Sequence, residues 1–191
     1  VFDKRVGLSK KDKLWHIKEN GLDLNKINYY EAIFTVGNGY LGTRGSFEEG
    51  IKGDWSGTYI AGIFDDHDSS VNEIVNCPDW TALSVWVGGE KLNVHTCKIL
   101  KHKRILDLKN GLLYRNTRFC DSQGRITNYE SIRFVSMKNM HFMQVYVTIT
   151  PENYSGIVSI ISKIEGKRFN FDRKPIYSDK RINFHPEVKW E

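Results

Sequence analysis

Glu48 and Glu49, shortly after Arg44, are the side chains whose types and spacing most invite chemistry. A pair of carboxyls is the equipment of general acid–base chemistry, one giving a proton and the other taking it. Adjacent residues of an extended segment point to opposite faces, however. The plainer expectation is that each is a solvated charge or a partner for Arg44, and no catalytic residue is assigned. The pair closes a segment, residues 36–50, with glycines at 37, 39, 42, 45 and 50. Glycine serves where φ is positive or where backbones approach closely, so a shaped loop against a ligand or a packed surface is expected.

Gly37-x-Gly39-x-x-Gly42 matches a dinucleotide fingerprint, but that mechanism needs a helix to begin at once and present its N–H groups to the pyrophosphate. The following residues carry further glycines at 45, 50 and 53 and no apolar helical repeat, and no Gly-Lys-Ser/Thr follows. Nucleotide binding is set aside. Asp65-Asp66-His67-Asp68 gathers metal-ligand types, yet ligands must converge on a point from separate elements, so a solvated polar loop is expected and no metal is assigned. Trp86 lies in an alternating run and reads as core. Trp55, in Gly-Asp-Trp-Ser-Gly, sits in a loop-like setting and is the aromatic best set to face a ligand.

The elements that position these residues read as β. The run 30–36 is strand-like and leads into the glycine segment. A helix is expected over residues 10–19, with Ser9 as its cap. Two runs, 83–87 and 90–94, flank Gly88-Gly89, the signal of a hairpin with a primed turn. Turns at 109–111, 121–124 and 138–139 then separate runs 112–120, 125–136 and 141–150, and a last run spans 157–164. Met143, Val145, Val147 and Ile149 share one face, as do Val158, Ile160 and Ile164. Such patterning describes an antiparallel sheet, and a meander forming half of a sandwich is expected, with residues 1–191 as one domain.

Composition excludes several classes. Hydrophobic residues at 40% and aromatics at 13% argue against disorder. A net charge of +5 invites a nucleic-acid partner, but the basic residues are dispersed; the clusters at 10–13 and 101–104 read as solvated lysine-rich surface. No apolar run is long enough for a membrane span, and the charged N-terminus is no signal peptide. Cys77, Cys97 and Cys120 form no framework, which points to a reducing, cytoplasmic setting.

Several ordered motifs carry a resemblance. Glu-Ala-Ile-Phe-Thr-Val-Gly-Asn-Gly-Tyr-Leu-Gly-Thr-Arg-Gly at 31–45 resembles the opening signature of glycoside hydrolase family 65, the maltose, trehalose and kojibiose phosphorylases. Gly-Thr-Tyr-Ile-Ala-Gly-Ile-Phe-Asp at 57–65, Val-Asn-Cys-Pro-Asp-Trp at 75–80, and the runs 104–115 and 129–136 continue it in order. The likeness covers residues 15–164, nearly the whole chain.

The resemblance implies an N-terminal antiparallel β-sandwich of the galactose mutarotase type (a supersandwich), all-β with short helices at most. In the family the catalytic glutamate and the phosphate site belong to an (α/α) barrel that this chain does not contain. It implies a non-catalytic domain of a disaccharide phosphorylase, a homodimer in the parent, with inorganic phosphate as co-substrate and no cofactor. Gly37, Asn38, Gly39, Arg44, Glu48 and Glu49 would form the domain-interface or substrate-proximal loop at the barrel mouth, and Trp55 a sugar contact. Two alternatives remain: a carbohydrate-binding module, and a mutarotase-like epimerase using a histidine and a carboxylate. Of His16, His67, His95, His102, His141 and His185, only His95 and His141 read as strand residues, and no carboxylate partner is recognisable.

Overall fold

A computed structural model describes residues 14–65 and 73–166. In chain order the elements are β1 (His16–Asn20), α1 (Ile27–Ile33), β2 (Val36–Gly37), β3 (Leu41–Thr43), β4 (Thr58–Ile60), β5 (Phe64–Asp65), β6 (Glu73–Ile74), β7 (Leu83–Val87), β8 (Glu90–Lys91), β9 (Lys98–Asp107), β10 (Leu112–Cys120), β11 (Ile126–Val135), β12 (Met143–Pro151) and β13 (Val158–Ser162). A five-stranded antiparallel sheet runs β1-β9-β10-β11-β12. Two three-stranded sheets, β13-β7-β8 and β2-β3-β4, and the small β5-β6 pair complete the set.

Two apolar clusters join the layers. Val85 and Val87 of β7 pack with Leu92, Val94, Phe119 and Tyr129, so the β13-β7-β8 sheet covers one end of the large sheet. Phe34, Val36 and Leu41 pack with Leu106, Leu113 and Val135, so the β2-β3-β4 sheet covers the other. The fold is an all-β sandwich. Its turns follow the sequence signals: Gly88 and Gly89 take φ of 54° and 84° between β7 and β8, as a primed hairpin turn demands. Alternation is strict in β11, where Thr127, Tyr129, Ser131, Arg133 and Val135 face the interior.

The structure corrects several expectations. Most of the run 30–36 is α1, with only Val36 and Gly37 in a strand. Ile27, Tyr30 and Phe34 recur at helical spacing, which a short apolar run conceals; the Thr35 hydroxyl then closes the helix by donating to Ala32 O at 2.8 Å. Residues 16–19, expected in a helix, instead lie in β1, which pairs with β9 from His16 opposite Asp107 to Asn20 opposite Lys103. Long-range pairing overrides local propensity there; the Ser9 cap and residues 10–13 of that expected helix lie outside the described residues. Trp86 is half-buried on the face opposite Val85 and Val87 and is not core. Of the face expected on the last strand, Val158 packs inward while Ile160 and Ile164 are exposed. His95 and His141 sit in turns.

Candidate functional site

Three strands of the large sheet carry the same inward pattern, apolar at the ends and charged or polar in the middle. On β10 it is Leu113, Arg115, Thr117, Phe119; on β11, Val135, Arg133, Ser131, Tyr129; on β9, Leu106, Arg104, His102. The two apolar clusters therefore flank a polar belt containing Arg104, Arg115 and Arg133, each no more than 2% exposed. Arg104 stands opposite Arg115, and Arg115 opposite Ser131. Burying a guanidinium costs several kcal/mol unless charge and hydrogen bonds compensate it, roughly as for any buried ion.

The glycine-rich segment supplies that compensation. Arg104 Nη1 donates to Gly45 O at 2.7 Å; Arg133 donates to Arg44 O at 3.1 Å and Ser46 O at 2.9 Å. Glu49 takes a two-pronged bond from Arg115, at 2.8 and 2.5 Å. Glu48 accepts from Arg115 at 2.8 Å, from Arg133 at 3.0 Å and from the Ser131 hydroxyl at 2.9 Å. The Phe47 ring lies between Arg104 and Arg115, its centroid 4.3 and 4.4 Å from their guanidinium carbons. Glu19 of β1 accepts from Arg104 Nε at 2.5 Å. Three arginines thus meet three carboxylates, Glu19, Glu48 and Glu49.

Electrostatics follow from this arrangement. Burial alone would push the Glu48 carboxyl up, but Arg133 and Arg115 beside it hold it down at about 2. Burial likewise disfavours the charge on Arg115, and Glu49 and Glu48 more than reverse this. His102 is pulled down by burial, against the opposing Glu19 contact, so its imidazole is neutral. A single tautomer satisfies its neighbours. Nε2–H donates to Glu19 at 3.2 Å, and Nδ1 accepts the Thr117 hydroxyl at 2.8 Å, which itself accepts from Arg115 Nε at 2.9 Å.

The sequence-selected residues divide accordingly. Glu48 and Glu49 are neither solvated nor partners of Arg44: the chain turns at this point, so both adjacent carboxylates reach Arg115. The Arg44 side chain leans the other way, onto Asn28 O of α1 at 3.4 Å. Gly37 and Gly39 are exposed in the β2–β3 hairpin, and Gly42 is followed by strand and loop, not by the helix a pyrophosphate needs. Asn38 ties that hairpin to the β11–β12 turn, donating to Ser136 O at 2.7 Å and Met140 O at 3.0 Å. Trp55 is exposed, its backbone N–H bound to Glu31 at 2.9 Å. Asp66, His67 and Asp68 lie outside the described residues, as does His185. Among the described residues no group of three or more His, Cys, Asp or Glu is placed to hold a metal.

Glu19, Glu31, Arg104, Arg115 and Arg133 escaped the sequence reading. The 101–104 cluster, expected as solvated surface, buries His102 and Arg104 while Lys101 stays exposed. The signal was present in period-two form, since Arg115 and Arg133 each alternate in register with apolar residues. Thr117, His102 and Glu19 align as a hydroxyl, an imidazole and a carboxylate, the order of a nucleophilic triad. The side chains of His102 and Glu19 are 0% and 2% exposed, so no substrate reaches that imidazole. His16 faces Asp107 at 3.8 Å with similarly enclosed side chains.

Comparison with known proteins agrees with this architecture. Residues 17–187 match the family described as glycosyl hydrolase family 65, N-terminal domain. The chain is 42% identical over 171 residues to a kojibiose phosphorylase of Thermoanaerobacter brockii, covering 90% of this chain and 22% of that protein. It is 31% identical to an alpha,alpha-trehalose phosphorylase of the same organism, covering 83% of this chain and 22% of that one. A solved structure described as a putative kojibiose phosphorylase from human microbiome superposes with a TM-score of 0.74 at 23% identity, over 83% of this chain and 22% of the other, a likeness of fold. The chain spans about a fifth of the length of the relatives it matches. Among the described residues no helix is long and apolar enough to cross a membrane.

Proposed function

We propose that this chain, which belongs to the N-terminal domain family of glycosyl hydrolase family 65, is the non-catalytic sandwich of a disaccharide phosphorylase. In the parent reaction phosphate attacks an α-glucoside and releases glucose and β-glucose 1-phosphate. The chemistry resides in a helical barrel elsewhere in the polypeptide, and residues 1–191 act as one domain that scaffolds it and shapes its entrance. Gly37, Asn38 and Gly39 form the presented part of the loop, Arg44 its base against α1, and Glu48 and Glu49 its anchor. The parent is a cytoplasmic homodimer that needs phosphate as co-substrate and no cofactor.

One observation carries this reading. The carboxylates that by type invite glycosidic chemistry are both committed to Arg115. Glu48, held near 2, has no proton to give at neutral pH. They hold a loop in place, and the loop presents its hairpin tip outward. The exposed Trp55 ring favours a second reading, a carbohydrate-binding surface on the same domain.

The chain alone is incubated with phosphate and maltose, kojibiose or trehalose, while NMR follows glucose anomers and protein resonances. No glucose 1-phosphate and no accelerated anomer exchange are expected. Phosphorolysis would overturn the scaffold reading, and faster anomer exchange would establish the mutarotase-like one. Saturable shifts centred on Trp55 would move the assignment to a carbohydrate-binding module.

A further inference from the structure

Glu31, in α1, is fully enclosed, yet its carboxyl is only half satisfied. Oε2 accepts the Trp55 backbone N–H at 2.9 Å. The Asn28 amide nitrogen, turned inward, reaches the same oxygen and Gly53 O, both at 3.0 Å. Oε1 has no partner among the described residues. Arg44 carries the complementary deficiency: its Nε–H is buried and also lacks a partner there, and its Nη2 makes a long 3.4 Å contact with Asn28 O. A buried donor and a buried acceptor each left unmet cost free energy, and an oxygen that gains a negative charge without a donor costs more.

Charged groups act on Glu31 from three elements: Arg44 from the loop after β3, Arg104 from β9, and Asp54 from the loop before β4. Burial, with a smaller contribution from Asp54, disfavours the carboxylate; the Trp55 N–H and the two arginines favour it. Burial prevails and pushes the carboxyl up to about 7. This carboxyl joins α1 to the Trp55 backbone, beside the Asn28 link to Gly53, and stands near an arginine whose own backbone carbonyl is fixed by Arg133. The Arg44 side chain can therefore shift while its backbone stays in the belt.

We propose that Glu31 is a protonation-operated latch on the Trp55 segment. Neutral, it holds the Trp55 backbone against α1 through Oε2, and Arg44 rests on Asn28. Ionised, having released its proton to water, it draws the Arg44 Nε–H to Oε1, and the rearranged carboxyl repositions the Trp55 backbone and its exposed ring. The device goes beyond the scaffold reading and holds whether or not that ring contacts sugar.

The test is 19F NMR of the full chain carrying 5-fluorotryptophan, with the Trp55 signal assigned through Trp55→Phe, across roughly pH 5 to 9. The Trp55 resonance is expected to titrate with a midpoint near 7. It should be flat in Glu31→Gln, and in Arg44→Met the midpoint should rise by about one unit as a favourable cation is lost. A Trp55 signal that does not move with pH, or moves identically in Glu31→Gln, overturns the latch. Should Glu31→Gln fail to fold, Arg44→Met decides: an unshifted midpoint overturns the pairing of Arg44 with Glu31.

Discussion

Arg104 and Arg115 stand directly opposite one another on neighbouring antiparallel strands, with Phe47 placed between their guanidinium groups. Like charges so paired repel and destabilise a sheet. Here Glu19 answers Arg104 from one side and Glu48 and Glu49 answer Arg115 from above. The large sheet is therefore incomplete without the loop of residues 44–49, and the loop has no fixed shape without the sheet. Signature segment and strand belt form one cooperative unit.

Arg115→Met tests that unit. It leaves Glu48 and Glu49 enclosed with their shared cation gone, so a loss of about 3–5 kcal/mol in urea unfolding is expected. Arg115→Lys keeps the charge but not the two-pronged geometry and should recover only part of the loss. A cost below about 1 kcal/mol for Arg115→Met, the scale of a surface pair, would show that the belt contributes little.

Gly45 is fixed by close approach. A Cβ added there would sit 2.4 Å from Phe34 Cβ and 2.8 Å from Phe34 O, against backbone that cannot yield. Gly45→Ala should cost about 2–3 kcal/mol by thermal or urea unfolding, as overpacking does. The control is Gly42→Ala, whose added methyl meets nothing within 4 Å, and which should change stability by about 0.5 kcal/mol or less. Equal effects at the two positions would refute the steric account.

The two perturbed carboxyls set opposite limbs of the pH profile. Glu48 titrates near 4.5 when unfolded and near 2 when folded, so its stabilising contribution is full above 4.5 and is lost as pH falls toward 2. That loss amounts to about 3 kcal/mol at most. Glu31 runs the other way: its value of about 7 against 4.5 means its cost is absent below 4.5, grows as pH rises and is complete above 7. Urea midpoints measured over a pH series should show Glu48→Gln flattening the acid limb. Glu31→Gln should be more stable than the native chain above neutrality by about 2 kcal/mol. If Glu31→Gln instead parallels the native curve, the Glu31 carboxyl is not held neutral.

Much of the sheet was legible because its signals are local. Gly88-Gly89 fixes a hairpin whatever surrounds it, and the alternation of Met143, Val145, Val147 and Ile149 marks the more buried face of β12. Residues 16–19 and 30–33 were misread, the first because they pair with a strand more than eighty residues away, the second because their helix is too short for a clear period. The site was half legible. Glycine density marked the loop, but a charged residue in a strand reads as solvent-facing by default. Arg104, Arg115 and Arg133 are inward only because Glu19, Glu48 and Glu49 arrive from elsewhere in the chain, and single positions carry no trace of that match.

Asn38 makes the last case, since one side chain joins two turns. Its Oδ1 accepts from Tyr40 N at 3.0 Å and Leu41 N at 2.9 Å, shaping the β2–β3 hairpin. Its Nδ2 donates to Ser136 O and Met140 O, and Tyr40 meets His141 edge-on with centroids 4.6 Å apart. Asn38→Asp preserves the acceptor and hence the hairpin, but it removes both donors and sets a carboxylate against two carbonyl oxygens. A loss of about 2 kcal/mol is expected. Hydrogen exchange should quicken at residues 136–142 while β3 keeps its protection, because only the link between the turns is cut. Unchanged exchange at 136–142 would mean that the β11–β12 turn holds its shape without Asn38, and that the hairpin tip is presented by β2 and β3 alone.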